Sequence, residues 1–303
     1  MAKAAQQLGV SQPAVSEVIA DLEHALGVRL LDRSARGIEP TIYGDALLKR
    51  SVAVFDELKQ SIRDIEFLSD ATTGEVRIGC HEAPWFTLLP DVIRRFAQEY
   101  PRIQVHTDLI DHSEAFLALR ERRYDCVLIP PSTRPQDKAA DDLTMEILYD
   151  DEVIVAASAH SKWARCGKIA LAELIEEPWI MSGPTAWTRP FIEKVFEASG
   201  LSLPNPRIAT GSIILRARLI TDSPYLGIFL TSVLRRLIAD NYALTALPVD
   251  LRANTQSVAI VTLRNRTLGP VVERFLVCVR EVAASSAGNH GRGAARRSKS
   301  KVS

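Results

Sequence analysis

The sequence predicts an α+β/α/β chain in three parts: a small helical head with a hairpin, one long helix, and two α/β lobes. Three observations predict it. Across residues 2–40, two helical periods are broken at Gly9 and followed by a basic stretch containing Gly37. Between Leu48 and Ile65 an apolar stripe recurs at seven-residue spacing. From Glu75 onward, short apolar runs alternate with amphipathic segments, the pattern of α/β units on a mainly parallel sheet.

In chain order, Ala5 and Leu8 lead to Gly9, and a new apolar period runs Val15, Ile19, Leu22, Leu26. Ser11 is placed to cap this second helix, with Pro13 in its first turn and Gly27 at its end. Residues 28–40, with Arg29, Arg33, Arg36 and Gly37, read as a short hairpin, a basic wing on the helix pair. Thr41 then opens a long helix in which Leu48, Phe55 and Ile62, with Leu58 and Ile65 at the alternate position, form a seam that calls for a partner helix. The seam ends in the small and polar residues 70–74.

The first lobe is expected to contain strands at 76–80, 103–110 and 126–129, with helices near 88–100 and 113–121. A second set follows at 153–157, 171–175, 179–181, 190–199, 207–210 and 213–220. Late strands at 242–248 and 257–263 lead to a last helix at 270–284, long enough to pack back on the first lobe through crossover connections. The tail 285–303, rich in Ser, Gly, Arg and Lys, is expected to be disordered. The resulting division is 1–44, 45–74, 75–284 and 285–303.

Composition narrows function less than fold. A chain of 303 residues suits about two domains. Its 37 basic and 37 acidic residues cancel, so global charge names no partner. Cys80, Cys126, Cys166 and Cys278 form no CxxC pair or dense disulfide pattern. Neither a long apolar leader at the start nor a run near the roughly 20 apolar residues of a membrane span is seen, so a cytoplasmic protein without membrane contact is expected.

Residues 4–44 carry the densest functional pattern. A short helix, a turn at Gly9 and a second helix opening Ser11-Gln12-Pro13-Ala14-Val15-Ser16 put small and amide side chains at a helix start, where they can enter a DNA major groove. Gln12 can read adenine, Ser11 and Ser16 can donate to phosphates, and the wing arginines can lie along the backbone or minor groove. With Ala4, Ala5, Leu8, Gly9, Val10, Ile19, Leu22, Glu23, Leu26, Gly27, Leu30, Arg33, Thr41 and Gly44 at fixed offsets, the segment resembles the winged helix-turn-helix of LysR-type transcriptional regulators.

The resemblance implies a long dimerising linker helix and a two-lobed effector domain like a type 2 periplasmic binding protein. It also implies a helix ahead of residue 1, so the head is expected to be truncated at its first helix. Expected DNA contacts are Ser11, Gln12, Pro13, Ser16, Arg29, Arg33, Arg36 and Thr41. Within residues 1–50 acids and bases balance, and Glu17 and Asp21 stand where relatives often carry basic or amide side chains. Phosphate neutralisation is therefore limited.

Between the lobes the resemblance places an effector cleft, and open α/β sheets also bind ligands at the carboxyl ends of their strands. The expected effector residues are His81, Glu82, Ala83, Pro131, Ser132, Ser182, Gly183, Thr185, Gly211, Ser212 and Phe229. Hydroxyls and helix-start amides there suit a small molecule, with a carboxylate as one candidate. Arg134 and Arg189 are candidate charges and Trp85 and Trp187 candidate stacking partners.

No catalytic residue, metal site or cofactor is expected: His81 and Glu82 are adjacent rather than at ligand spacing, and no HExxH, GxSxG or GxxxxGK[ST] occurs. The expected function is a non-enzymatic, ligand-responsive regulator of transcription. Its expected partners are double-stranded promoter DNA, a small-molecule effector, a second copy in a homodimer or homotetramer, and RNA polymerase. The rival reading is a small-molecule binding protein that has lost DNA binding through its truncated start.

Overall fold

A computed structural model describes the chain except residues 35–36, 132–140, 184–185, 187, 252–254 and 300–303, and except the side chains of 33–34 and 287–299. Arg36, Ser132 and Thr185, with Arg134 and Trp187, lie outside the described residues, as does the side chain of Arg33. The chain divides into two units, residues 1–62 and 63–303.

In the first unit α1 (Ala2–Leu8) ends on Gly9, whose φ of 66° and ψ of 27° lie in the left-handed region where a side chain would be strained. Val10 N–H donates back to Ala5 O at 3.0 Å, closing the turn. α2 (Gln12–Leu26) starts on the Ser11 cap, whose Oγ accepts from Ala14 N–H at 3.3 Å. The wing is an antiparallel pair, β1 (Leu31–Ser34) with β2 (Gly37–Pro40). α3 (Ile42–Ser69) begins here and runs on into the second unit.

Two side chains and one close backbone approach lock the wing to its flanking helices. Glu23 Oε1 accepts from Leu30 N–H at 2.7 Å and Leu31 N–H at 3.1 Å. Thr41 Oγ1 donates to Arg29 O at 2.7 Å and accepts from Gly44 N–H at 3.1 Å. Gly44 lies so close to Leu30 that an added Cβ would fall 2.1 Å from the Leu30 carbonyl oxygen. The packed centre is small: Ala5 and Leu30 are buried, while Leu22 and Leu26 on α2 remain 41% and 49% exposed.

The second unit continues with β3 (Thr73–Cys80), α4 (Glu82–Thr87), α5 (Leu89–Glu99), β4 (Arg102–Leu109), α6 (His112–Arg120) and β5 (Cys126–Ile129). The 16-residue β6 (Leu143–Ser158) then crosses into a second lobe. That lobe holds β7 (Trp179–Met181), α7 (Arg189–Glu197), β8 (Ile208–Ala209), α8 (Ile213–Thr221), β9 (Leu226–Leu230), α9 (Thr231–Ala239) and β10 (Leu244–Ala246). β11 (Thr255–Leu263) returns to the first lobe and α10 (Pro270–Lys299) closes on it.

The strands follow the order β4-β3-β5-β11-β6-β9-β7-β8, with β10 on β6. β3 runs parallel to β4 and β5, and β7 parallel to β8 and β9. The two crossover strands do not: β11 is antiparallel to β5 and β6, and β6 to β9 and β10. The expectation of a mainly parallel sheet is corrected to a mixed one, because a chain that leaves one lobe and returns must reverse direction between them. α10 also runs past the expected end near residue 284; its backbone is helical through Lys299.

On one face of the first lobe, α5 and α10 bury Phe96 and Phe275, with ring centroids 5.2 Å apart, over Val76, Ile78 and Ile260. α6 covers the other face with Phe116 and Leu119. In the second lobe Trp179 meets Phe196 edge to face at 5.8 Å, and its Nε1–H donates to Leu174 O at 2.8 Å. Ala217 and Ile220 of α8 and Leu234 and Leu237 of α9 share another apolar layer. Both lobes thus present the carboxyl ends of their parallel strands toward one cleft.

Candidate functional site

The first unit exposes a compact polar surface at the start of α2. Ser11, Gln12 and Pro13 are exposed in its first turn, and Ser16 is half-buried one turn further on. Arg29 is exposed just before the wing. The Thr41 hydroxyl is committed to Arg29 O and Gly44 N–H, so this residue fixes the wing's base. Leu48, Phe55, Leu58, Ile62 and Ile65 on α3 are each half or more exposed, which leaves the heptad seam open on the single chain.

In the second unit a cavity of about 500 Å³ opens between the lobes. From the first lobe it takes His81, Glu82 and Ala83 after β3, Leu109, Ile110 and Asp111 after β4, and Pro130 after β5. From the second it takes Ser182 after β7, Thr188, Phe191 and Ile192 around the start of α7, Gly211, Ser212, Ile213 and Arg216 at α8, and Phe229 and Leu230 of β9. Crossover residues Val153 and Gln256, with Ala186, Ile228 and Val233 of the second lobe, complete the wall.

Of the residues expected from sequence, His81, Glu82, Ala83, Ser182, Gly211, Ser212 and Phe229 meet in this cavity. Pro131 and Gly183 are not among its lining, although their neighbours Pro130 and Ser182 are. Trp85 packs on the first-lobe core, and Arg189 pairs with Glu193 at 2.7 Å within α7.

Sequence reasoning missed Arg216. It is buried, donates from Nη1 to Ile228 O at 2.5 Å, and holds its guanidinium 5.2 Å from the centroid of the Phe229 ring. Its Nε is buried without a hydrogen-bond partner among the described residues. The available signal was an arginine on the apolar face of α8, in helical register with Ile213, Ala217 and Ile220.

The electrostatics of the wall follow from burial. Desolvation, aided by the nearby His112 and opposed by Asp111, pushes the His81 imidazole down to about 4, so it is neutral near pH 7. Desolvation raises the Glu82 carboxyl, while its hydrogen bond from Ile213 N–H and the charge of Arg216 favour the ionised form. Burial lowers Arg216, and Glu82 acts in the opposite direction. At α8, Ser212 Oγ accepts from Leu215 N–H at 3.3 Å and Glu82 Oε1 accepts from Ile213 N–H at 2.6 Å. Chemically, the wall offers an apolar enclosure with a few directed polar groups, the usual make-up of a small-molecule site.

Among the described residues, no cluster of three or more His, Cys, Asp or Glu could hold a metal ion, and no helix is long and apolar enough to cross a membrane.

Comparison with known proteins covers both units. The family model described as "Bacterial regulatory helix-turn-helix protein, lysR family" matches residues 1–45, and "LysR substrate binding domain" matches residues 69–284. The HTH-type transcriptional regulator GbpR of Azospirillum brasilense is 23% identical over 279 residues, covering 92% of this chain and 80% of that protein. The HTH-type transcriptional regulator TdcA of Escherichia coli K12 is 28% identical over 226 residues, covering 74% and 70%. Full-length CbnR in complex with its target DNA shares the fold at a TM-score of 0.57 and 20% identity, covering 93% of each chain.

Proposed function

The chain belongs to the LysR family of transcriptional regulators, and from that membership we infer how its parts divide the work. The head binds promoter DNA with the start of α2 in the major groove: Gln12 reads base edges, while Ser11, Pro13 and Ser16 fit that turn against the duplex. Arg29, Arg33 and Arg36 follow the phosphates along the wing, and Thr41 holds the wing's base. The exposed α3 stripe pairs two copies, whose two-fold symmetry suits paired half-sites.

The cleft binds a small organic effector through His81, Glu82, Ala83, Ser182, Gly211, Ser212 and Phe229. Effector binding shifts the population of lobe arrangements, and thereby the arrangement of the paired heads and their contact with RNA polymerase in the cytoplasm. The cleft senses its ligand rather than converting it. The observation that carries this reading is the bare first turn of α2, capped by Ser11 and set off by the Gly9 turn, inside the segment that matches the family's DNA-binding model.

Fluorescence anisotropy with DNA from upstream of the gene, against a scrambled control at two salt concentrations, tests it. Expected is preferential binding that weakens with salt and drops at least tenfold in Gln12→Ala. Equal binding to both DNAs, or none to either, would overturn the assignment.

A further inference from the structure

Two features of the cleft wall set this chain's ligand chemistry. The first-turn N–H groups of a helix are a natural seat for a ligand carboxylate or phosphate. At α8 that seat is taken. Glu82, at the start of α4 on the first lobe, reaches across the cleft, and its Oε1 accepts from Ile213 N–H of the second lobe at 2.6 Å. The neighbouring Leu215 N–H already donates to Ser212 Oγ.

The second feature is Arg216, one turn along the same helix. Among the described residues that line the cavity it is the only arginine or lysine. Its guanidinium donates to Ile228 O and lies over Phe229, and its charge already favours the ionised form of Glu82. Asp111 adds another acid to the wall and His81 no cation at neutral pH.

Given that the cleft is the effector site, we propose that Glu82 is a built-in carboxylate ligand of the second lobe: it occupies the anion seat at α8, bridges the lobes, and selects uncharged or cationic, largely apolar effectors over carboxylates. A carboxylate entering that seat meets Glu82 at hydrogen-bond range, and two carboxylates cannot cheaply share one site while both ionised. To bind, it has to expel Glu82 and break the bridge. An apolar molecule meets no such obstacle against Phe191, Ile192, Phe229, Leu230 and Val233.

The test uses full-length protein at pH 7.5 in constant sodium chloride, titrated with acetate and, separately, acetamide, reading half-saturation of thermal stabilisation. In the wild type acetate is expected to act no better than acetamide. Glu82→Ala empties the seat and is expected to lower the acetate half-saturation at least fivefold relative to that of acetamide. Adding Arg216→Met should abolish the gain. Glu82→Gln, which keeps an acceptor for Ile213 N–H but removes the charge, covers the case in which Glu82→Ala does not fold. A gain below fivefold in every folded Glu82 variant, or wild-type acetate binding tighter than in those variants, overturns the proposal.

Promoter-DNA anisotropy on the same preparations separates the two readings. Sequence-preferring DNA binding without the acetate gain removes the proposal and leaves the regulator standing. The gain without DNA binding does the reverse.

Discussion

Replacing Gly44 by alanine should loosen the DNA-binding head, although alanine is the better helix former. The new Cβ would stand 2.1 Å from Leu30 O and 3.2 Å from both Leu30 C and Pro40 Cβ. Real Cβ atoms essentially never come within 3.0 Å of another heavy atom, so the Leu30 carbonyl must retreat by at least 0.9 Å, the difference between 3.0 and 2.1. That carbonyl accepts from Thr41 N–H at 2.9 Å, and Thr41 in turn ties Arg29 O to Gly44 N–H. Overpacking costs about 1–3 kcal/mol and a weakened buried hydrogen bond about 1–3 more, against about 1 kcal/mol gained in helix propensity. The net expectation is a destabilisation of about 1–5 kcal/mol confined to the head.

Hydrogen exchange by mass spectrometry on full-length protein reads this directly: peptides spanning residues 28–44 should lose protection roughly 5- to 4000-fold, since 1.4 kcal/mol is about tenfold. Peptides of β3 and β11 should be unchanged. Unaltered or increased protection across 28–44 would refute the packing argument, because propensity alone would then have decided the outcome.

Phe55→Glu places a charge in the exposed α3 stripe, and sedimentation should show dimers giving way to monomers, with DNA affinity falling at least tenfold; unchanged assembly would assign pairing to another surface. Arg266→Met strips a partner from Asp125, whose Oδ1 lies 2.9 Å away with both side chains buried, and should cost about 3–5 kcal/mol in urea unfolding; a loss below about 1 kcal/mol would contradict it. His81 has a depressed pKa of about 4 against an ordinary 6.5, so its contribution is complete above pH 6.5 and is lost as pH falls toward 4, at most roughly 3 kcal/mol. Glu82, raised by burial, works in the opposite direction, so the informative comparison is the pH slope of His81→Asn, which should be flatter than wild type between pH 6.5 and 4.

Much of this architecture was legible because the relevant forces are local. Gly9 and Gly27 end helices in left-handed geometry, Ser11 caps α2, and seven-residue spacing marks α3, all features that neighbouring residues decide. The features that escaped depend on distant partners. The first half of β6, residues 143–152, carries Glu146, Asp150, Asp151 and Glu152 and alternates only imperfectly, yet pairing with β11 makes it a strand. α9 starts at Thr231 directly after β9, with no breaking residue between them to mark the change. Strand direction was misjudged because crossing between lobes is a property of the whole path.

The cleft shows the same division. Strand-end position led to His81, Glu82 and Ser212, whereas Arg216 sits within a helix and reaches the cavity only because α8 turns its apolar face inward.

The Glu82 bridge also sets an energy scale for control. A hydrogen bond to a charged group is worth about 1.5–3 kcal/mol net, or about ten- to a hundredfold in an equilibrium. The bridge joins residues 131 positions apart, on lobes that the two crossover strands also connect. Breaking or keeping it therefore distinguishes lobe arrangements by an amount comparable with typical coupling energies between sites. An effector that fills the cavity while leaving Glu82 on Ile213 equally bonded in both arrangements gains affinity but no control, because equal affinity for two states shifts neither. Control requires a ligand whose contacts with the wall differ when the bridge is made and when it is broken. On this account Glu82→Gln should narrow the gap between liganded and unliganded DNA affinity even where ligand affinity is preserved. An undiminished gap would place the coupling elsewhere in the second unit.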